Sequence, residues 1–300
     1  MNKLFLEKKF KDYYIKNKID LPRYFEKREF AFVPITSQHF TMQRHLAFKS
    51  YQEFKSYVLR NVPAHIYYSS AYYLKPDAEK MDEKGWIAAD LIFDIDADHL
   101  PVKLDFERSL KLAKKELKKL LIVLRKDFGI KDDEVEVYFS GSRGYHVHVY
   151  SEDFIKLNSQ ERKEIVDYIV LNSPDIKFDS NVSERVLKYM KKYSKSFEEA
   201  LEKLRIHIDS PVTADVKRLI RLPGSLHGKT GLKVVKVEDV DNFDPLTDSV
   251  VFGEERISVR LLSNVNLRLK DFKLKAKAGE VVSVPEFMAI FLICREVAKF

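Results

Sequence analysis

Between Leu91 and Asp96 the chain alternates apolar and acidic side chains, with Leu91, Phe93 and Ile95 at odd positions and Asp94 and Asp96 at even ones. An extended strand sorts these two sets onto opposite faces, whereas the helical period mixes them. The segment therefore asks for a sheet with one face against a core and two carboxylates side by side on the other. Like charges held that close repel unless a proton or a cation intervenes. Hard divalent ions such as magnesium favour such all-oxygen sites and also bind phosphates. A metal site is the economical reading. The bland one is a solvated strand end, and Asp90 and Asp98, which share the parity, are read as structural. Asp209, after the alternating RIHI, is a candidate third ligand, and Asp215 competes with it because spacing alone does not choose between them.

The surroundings suggest an α/β or α+β catalytic core. HIYYSSAYYL (65–74) reads as one strand and WIAADLIFDIDADHLP as another ending at Pro101. Phe106, Leu110, Ala113, Leu117, Leu120, Leu124 and Phe128 recur every three or four residues, which predicts an amphipathic helix stopped by Gly129, with lysines on its solvated face. EVEVYFS and YHVHVY predict an antiparallel pair joined by SGSRG. The first 60 or so residues show short helical patterns, and 158–206 reads as a charged helical insertion or subdomain. The expected division is a core over 1–157 and 207–300 around that insertion. RIHIDSPVT returns to alternation, and Thr213 is placed to cap a short helix through ADVKRLIR that ends at Pro223 and Gly224. LKVVKVEDV reads as a strand, and Pro285 as the start of a final helix.

Two basic clusters complement the acidic strand. In SGSRGYHVHVY the glycines Gly141 and Gly144 permit a tight turn, Ser140 and Arg143 can donate to phosphate oxygens, and His146 and His148 share one strand face. His146, nearer the turn, is the better ligand candidate and His148 the structural one. In RLIRLPGSLHGKTG, Arg218 and Arg221 stand three apart, as if on one side of a helix, and Ser225 and His227 follow. The SGSRG turn is not a P-loop, because it carries no GKS or GKT.

Lysine and arginine number 53 against 46 aspartates and glutamates, a formal charge of +7, which suits a polyanionic partner without demanding one. The single cysteine, Cys294, rules out an internal disulfide and a multi-thiolate zinc cluster. No apolar run reaches the roughly 20 residues that span a bilayer, and the charged MNKLFLEKKFKDYY is unlike a signal peptide, so an intracellular location, cytoplasmic or at the nucleoid, is expected.

DLIFDIDADHL, YFSGSRGYHVHV and IDSPVTADVKRLIRLPGSLHGKTG together resemble the motifs of the small, catalytic subunit of archaeal and eukaryotic primase, and REFAFVPI, RHLAFKS and YYSSAYYL are similar to its upstream framework. The resemblance covers most of positions 10–240. It implies a mixed-sheet primase-polymerase core with a helical subdomain. It makes Asp94 and Asp96 the paired metal ligands and Asp209 the third catalytic aspartate, with Asp215 left to the following helix. Ser140, Arg143, His146, Arg221 and His227 become nucleotide-phosphate contacts. It further implies Mg2+ or Mn2+ as cofactor, nucleoside triphosphates, a primer and a single-stranded DNA template as substrates, and a large regulatory subunit as partner. The family's cysteine-and-histidine zinc knob is missing after the paired aspartates, so no structural zinc is expected. Competing readings are a repair or translesion primase-polymerase, a metal-dependent nuclease, and a non-catalytic nucleic-acid-binding scaffold.

Overall fold

The computed structural model describes residues 2–35, 41–97, 105–171 and 180–300, without the side chains of 180–185. Asp98 and Pro101 lie outside the described residues. In chain order the elements begin with α1 (Asn2–Lys16), β1 (Phe30–Pro34), β2 (Gln43–Leu46), α2 (Tyr51–Asn61), β3 (Pro63–Ser69), β4 (Ala71–Tyr73), β5 (Trp86–Ala89) and β6 (Leu91–Asp96). They continue with α3 (Phe106–Lys126), β7 (Val135–Phe139), β8 (Gly144–Val149), α4 (Ser159–Val170), α5 (Ser180–Tyr193), α6 (Phe197–Leu204), α7 (Ser210–Ala214), β9 (Leu219–Arg221) and β10 (Val235–Lys236). The last are α8 (Pro245–Asp248), β11 (Arg256–Leu261), β12 (Val265–Leu269), β13 (Phe272–Ala276), β14 (Val281–Pro285), α9 (Glu286–Cys294) and β15 (Ala298–Lys299).

Two four-stranded sheets carry the architecture, in the orders β10-β7-β8-β6 and β2-β1-β3-β9. On the first, α3 lays the stripe Leu110, Ala113, Leu117, Leu120 and Leu124 against Leu91, Phe93 and Ile95 of β6 and Tyr145, Val147 and Val149 of β8. Each fully buried aliphatic side chain contributes about 2 kcal/mol relative to exposure, so this face fixes which way β6 points. Asp105 starts the helix by accepting from Arg108 N at 2.9 Å. On the second sheet, α1 and α2 enclose an aromatic core of Phe10, Tyr13, Tyr14, Phe30, Phe32, Phe48 and Phe54. Ile92, on the carboxylate face of β6, belongs to that second core. Helix α9 is buried along its whole length; Ile290 and Cys294 join the aromatic core while Phe287, Met288, Phe291 and Leu292 join the other. The two sheets are thereby locked together, and the candidate site residues described below sit at their junction.

The expected 65–74 strand divides at Ser70 into β3 and β4, which lie in different sheets, and the expected 86–101 strand divides at Asp90 into β5 and β6. Both breaks meet at one point, where Ser70 O accepts from Asp90 N at 2.9 Å. A buried ion pair takes the Asp90 side chain: Arg28 Nη2 lies 2.6 Å from Asp90 Oδ2, and the Tyr72 hydroxyl donates to Oδ1. RIHID is irregular rather than a strand. The following helix is only the five residues of α7, with Asp209 rather than Thr213 at its N-cap position and no side-chain cap hydrogen bond. Arg218 and Arg221 therefore share no helix: Arg221 lies in β9 and Arg218 just before it. The predicted strand LKVVKVEDV is reduced to Val235–Lys236, and β1, β2 and the β11–β14 segment are strands that the sequence reading did not place. Helix α4 contributes Ile165, Val166 and Ile169 to the core under α3, whereas α5 and α6 enclose a small separate cluster with Leu171, Val186 and Ala200. Among the described residues no helix is long and apolar enough to cross a membrane.

Candidate active site

Asp94 and Asp96 stand opposite His146 and Gly144 across the antiparallel β6–β8 pair. Glycine is obligatory at 144, because a Cβ there would lie 2.1 Å from the carbonyl oxygen of Ile95. The third carboxylate arrives from far along the chain, with Asp209 N donating to Asp94 O at 2.7 Å. Asp215 is exposed, and its Oδ1 accepts from Lys217 N at 2.8 Å in the turn after α7. The side chains of Asp94 and Asp209 are 20% and 17% exposed. Burial first, then repulsion from Asp96 and Asp209, pushes the Asp94 carboxyl up to about 7; Arg221 and Arg218 oppose the shift but are outweighed. Three coupled carboxylates of this kind suit a divalent ion. Among the described residues, however, no three His, Cys, Asp or Glu side chains close into a tight ligand set.

The nitrogen-rich side is assembled from the β7–β8 turn and the 223–233 loop. Ser140 Oγ accepts from Ser142 N at 3.4 Å and Gly144 N at 3.3 Å, so its hydroxyl sits inside the turn. Gly141, at φ 78°, lets the loop close onto the turn: a Cβ there would stand 2.8 Å from His227 Cβ. Thr230 Oγ1 donates to Gly141 O at 2.5 Å, pinning the two together. His146 Nε2 is 3.9 Å from Asp94 Oδ1, and its Nδ1 is buried with no hydrogen-bond partner. Burial holds both His146 and His227 well below the usual imidazole range, helped for His146 by His148 and Arg221 and for His227 by Arg221 and His65, so both rings are neutral. Arg221 Nη1 donates to His65 Nδ1 at 2.7 Å and to the Tyr67 hydroxyl at 3.1 Å, while Arg221 Nε is buried without a partner. Arg218 Nη2 lies 3.9 Å from Asp209 Oδ2, between the basic and acidic sets.

Asp94, Asp96, Asp209, His146, Arg221 and His227 thus form one neighbourhood, with Ser140 in the turn beneath it. Arg143 sits toward its margin: its carbonyl accepts from Ala97 N at 3.3 Å, and its charge adds to burial in lowering the pKa of Arg295 at the end of α9. His148 is a packing residue whose Nδ1 faces the hydroxyls of Tyr68 at 3.2 Å and Tyr150 at 3.4 Å, and burial lowers its pKa to about 4. The sequence reading missed His65 and Tyr67. Their shared parity in HIYYS placed them on one strand face, but nothing local tied that face to Arg221. Cys294 is enclosed in α9, where burial pushes its thiol up and away from ligand duty.

Comparison with known proteins bears on the same residues. The family model for the DNA primase small subunit matches residues 93–240, which contain Asp94 and Asp96 of β6, the β7–β8 turn, Asp209 and the 223–233 loop. The DNA primase small subunit of Archaeoglobus fulgidus is 51% identical over 335 residues, covering 100% of this chain and 99% of the relative. Those of Methanosarcina barkeri and Picrophilus torridus are 35% and 38% identical, covering 99% and 96% of this chain and 96% and 95% of the relatives. These alignments, over 335, 398 and 357 residues, exceed the 300 of this chain, so the relatives carry sequence with no counterpart here. Among solved structures, the polymerase domain of Mycobacterium tuberculosis ligase D in complex with DNA aligns with a TM-score of 0.48 at 13% identity, over 79% of this chain and 83% of that one.

Proposed function

Because this chain belongs to the DNA primase small-subunit family, we propose that it is a catalytic primase subunit that makes primers on single-stranded DNA, transferring nucleoside monophosphates from triphosphates with release of pyrophosphate. One observation carries the assignment of its residues. Three carboxylates from β6 and the start of α7 adjoin a set of nitrogen donors, in which Arg221 Nε and His146 Nδ1 are buried without partners. Buried polar groups are rarely left in that state. A nucleotide seated by its phosphates offers acceptors to the first, and to the second if its ring proton lies on Nδ1.

In this reading the chain's groups divide the work by charge. Asp94, Asp96 and Asp209 are the residues that would hold Mg2+ or Mn2+, which when bound supplies activation of the attacking hydroxyl and charge neutralisation on the phosphates. Arg221 provides a permanent positive charge on the phosphate side. His146 and His227, kept neutral by burial, each offer one N–H without adding charge. Ser140 supplies a hydroxyl, and Arg143 a guanidinium at the margin. A large regulatory subunit, a primer and a single-stranded template belong to the same reading as partners, the DNA being held mainly through its phosphates.

The test is incorporation of labelled ribo- and deoxynucleoside triphosphates on unprimed and primed single-stranded DNA, with and without divalent metal, in the native chain and in Asp94→Ala and Asp209→Ala. Metal-dependent product lost in both folded variants is the expected result. Absence of product on either template, even with the large subunit supplied, would overturn the catalytic assignment.

A further inference from the structure

Among the described residues, no carboxylate forms an ion pair with the Arg221 guanidinium on the phosphate side of this site. Arg221 leans instead on His65 Nδ1 at 2.7 Å and on Tyr67, whose hydroxyl lies 3.1 Å away and whose ring centroid lies 5.0 Å from the guanidinium carbon. Arginine has donors and no acceptor, so the contact requires a lone pair on His65 Nδ1. That places the ring proton on Nε2 and leaves the imidazole neutral. The surroundings enforce this state: His65 is 5% exposed, and burial, then Arg221 and Lys229, keep its pKa well below the usual range.

A neutral acceptor here differs in kind from a carboxylate. An aspartate or glutamate would fix Arg221 equally well but would cancel its charge and compete with a phosphate for it. An imidazole fixes the direction of the guanidinium and leaves its charge whole. The same ring also seats the phosphate loop. Gly228 N lies 3.4 Å from His65 Nδ1, and the rings of His65 and His227 meet edge to face at 4.9 Å. A Cβ at Gly228 would stand 3.0 Å from His65 Nε2 and 2.7 Å from Ala64 Cβ, so that position is closed to larger residues. One side chain on β3 thus touches both β9 and the 227–228 turn.

We propose that His65 is a positioning residue for triphosphate recognition, a neutral acceptor that aims Arg221 with its charge undiminished and seats the His227–Gly228 turn beside it. The inference rests on the reading of Arg221 as a phosphate ligand, and its test separates the two. In His65→Phe the ring and its volume remain but the acceptor is lost; in His65→Asn the amide oxygen restores an acceptor near the place of Nδ1. Steady-state kinetics of the full chain on a primed template then give KM and kcat for the nucleoside triphosphate. The Phe variant is expected to raise KM about ten- to a hundredfold, the range for a hydrogen bond to a charged group, with kcat within a few-fold and affinity for the DNA unchanged. The Asn variant should recover most of the loss, and adding His65→Phe to Arg221→Ala should cost little beyond Arg221→Ala alone.

An unchanged KM in His65→Phe, equal damage in the Phe and Asn variants, or full additivity with an Arg221→Ala that itself raises KM would each overturn the proposal. An Arg221→Ala without effect on KM would instead remove the phosphate reading of Arg221, and this proposal with it. Should His65→Phe fail to fold, the nitrogen chemical shifts of the His65 ring in the native chain decide. A neutral ring protonated at Nε2 supports the proposal, and a ring protonated at Nδ1 overturns it.

Discussion

Asp90 and Asp94 are four residues apart, and the protein treats their carboxylates in opposite ways. Asp90 is 1% exposed and fully answered from within: Arg28 ion-pairs with it, Tyr72 donates to it, and Arg28 is held by Ser69 O at 2.7 Å and Ser70 O at 3.1 Å. Arg162 secures the adjoining backbone through Ala89 O at 2.6 Å and Asp90 O at 2.8 Å. Asp94 has no such closure. Its neighbours Asp96 and Asp209 repel it, and Arg218 and Arg221 only soften the effect. The first arrangement holds the break between β5 and β6 in place. The second sets carboxylates against one another where β6, β8 and α7 meet, and under the proposed function that is how a site suited to a cation and a polyphosphate differs from one that only joins strands.

The comparison breaks most visibly in activity. Asp94→Asn is expected to lower primer synthesis at least about a thousandfold, as removal of a directly acting charged group does. Its thermal midpoint should stay level or rise, because a repelled charge is removed. A variant with near-native synthesis would end the distinction between the two aspartates.

Stability gives the mirror image. Asp90→Ala leaves Arg28 buried and unpaired, and breaking a buried pair in this way costs about 3–5 kcal/mol. Denaturant unfolding should show that loss, while the fraction that remains folded keeps near-native KM for nucleotides. A loss under about 1 kcal/mol would mean that the Arg28 pair is not what holds the strand break.

A third contrast is the pH dependence. The Asp94 pKa rises on folding from 3.8 to about 7, so between those values the metal-free folded state binds more protons than the unfolded state. Stability from this group is therefore greatest at the acid end and falls as pH rises through about 7. Unfolding of metal-free protein across pH 4–8 should show this downward contribution in the native chain and lack it in Asp94→Asn. Identical profiles would contradict it.

How much of this was legible depended on range. The parity of β6, the α3 stripe and the β7–β8 hairpin follow from local periods, and so the faces carrying Asp94, Asp96 and His146 could be assigned before any fold was known. Asp209 could be proposed, but choosing it over Asp215 from local spacing was not possible; the structure adds the backbone bond from Asp209 N to Asp94 O. His65 and Arg221 are 156 residues apart in sequence and meet only because β3 pairs with β9, a three-residue strand too short to show a period. That brevity is also why VKRLIR looked helical. The strand β1 was hidden for the opposite reason: Phe30 to Val33 are buried on both faces, so no alternation marks them. The break at Asp90 escaped notice because the residues that cause it, Arg28 and Tyr72, lie on other elements.

The most direct measurement of the central claim is the rise in thermal midpoint at pH 8 as Mn2+ is titrated into the nucleotide-free native chain, Asp94→Asn and Asp90→Asn, each read against its own metal-free midpoint. The account predicts a saturable rise in the native chain and in Asp90→Asn, and none in Asp94→Asn. An equal rise in all three, or a rise lost with Asp90 rather than Asp94, would contradict it.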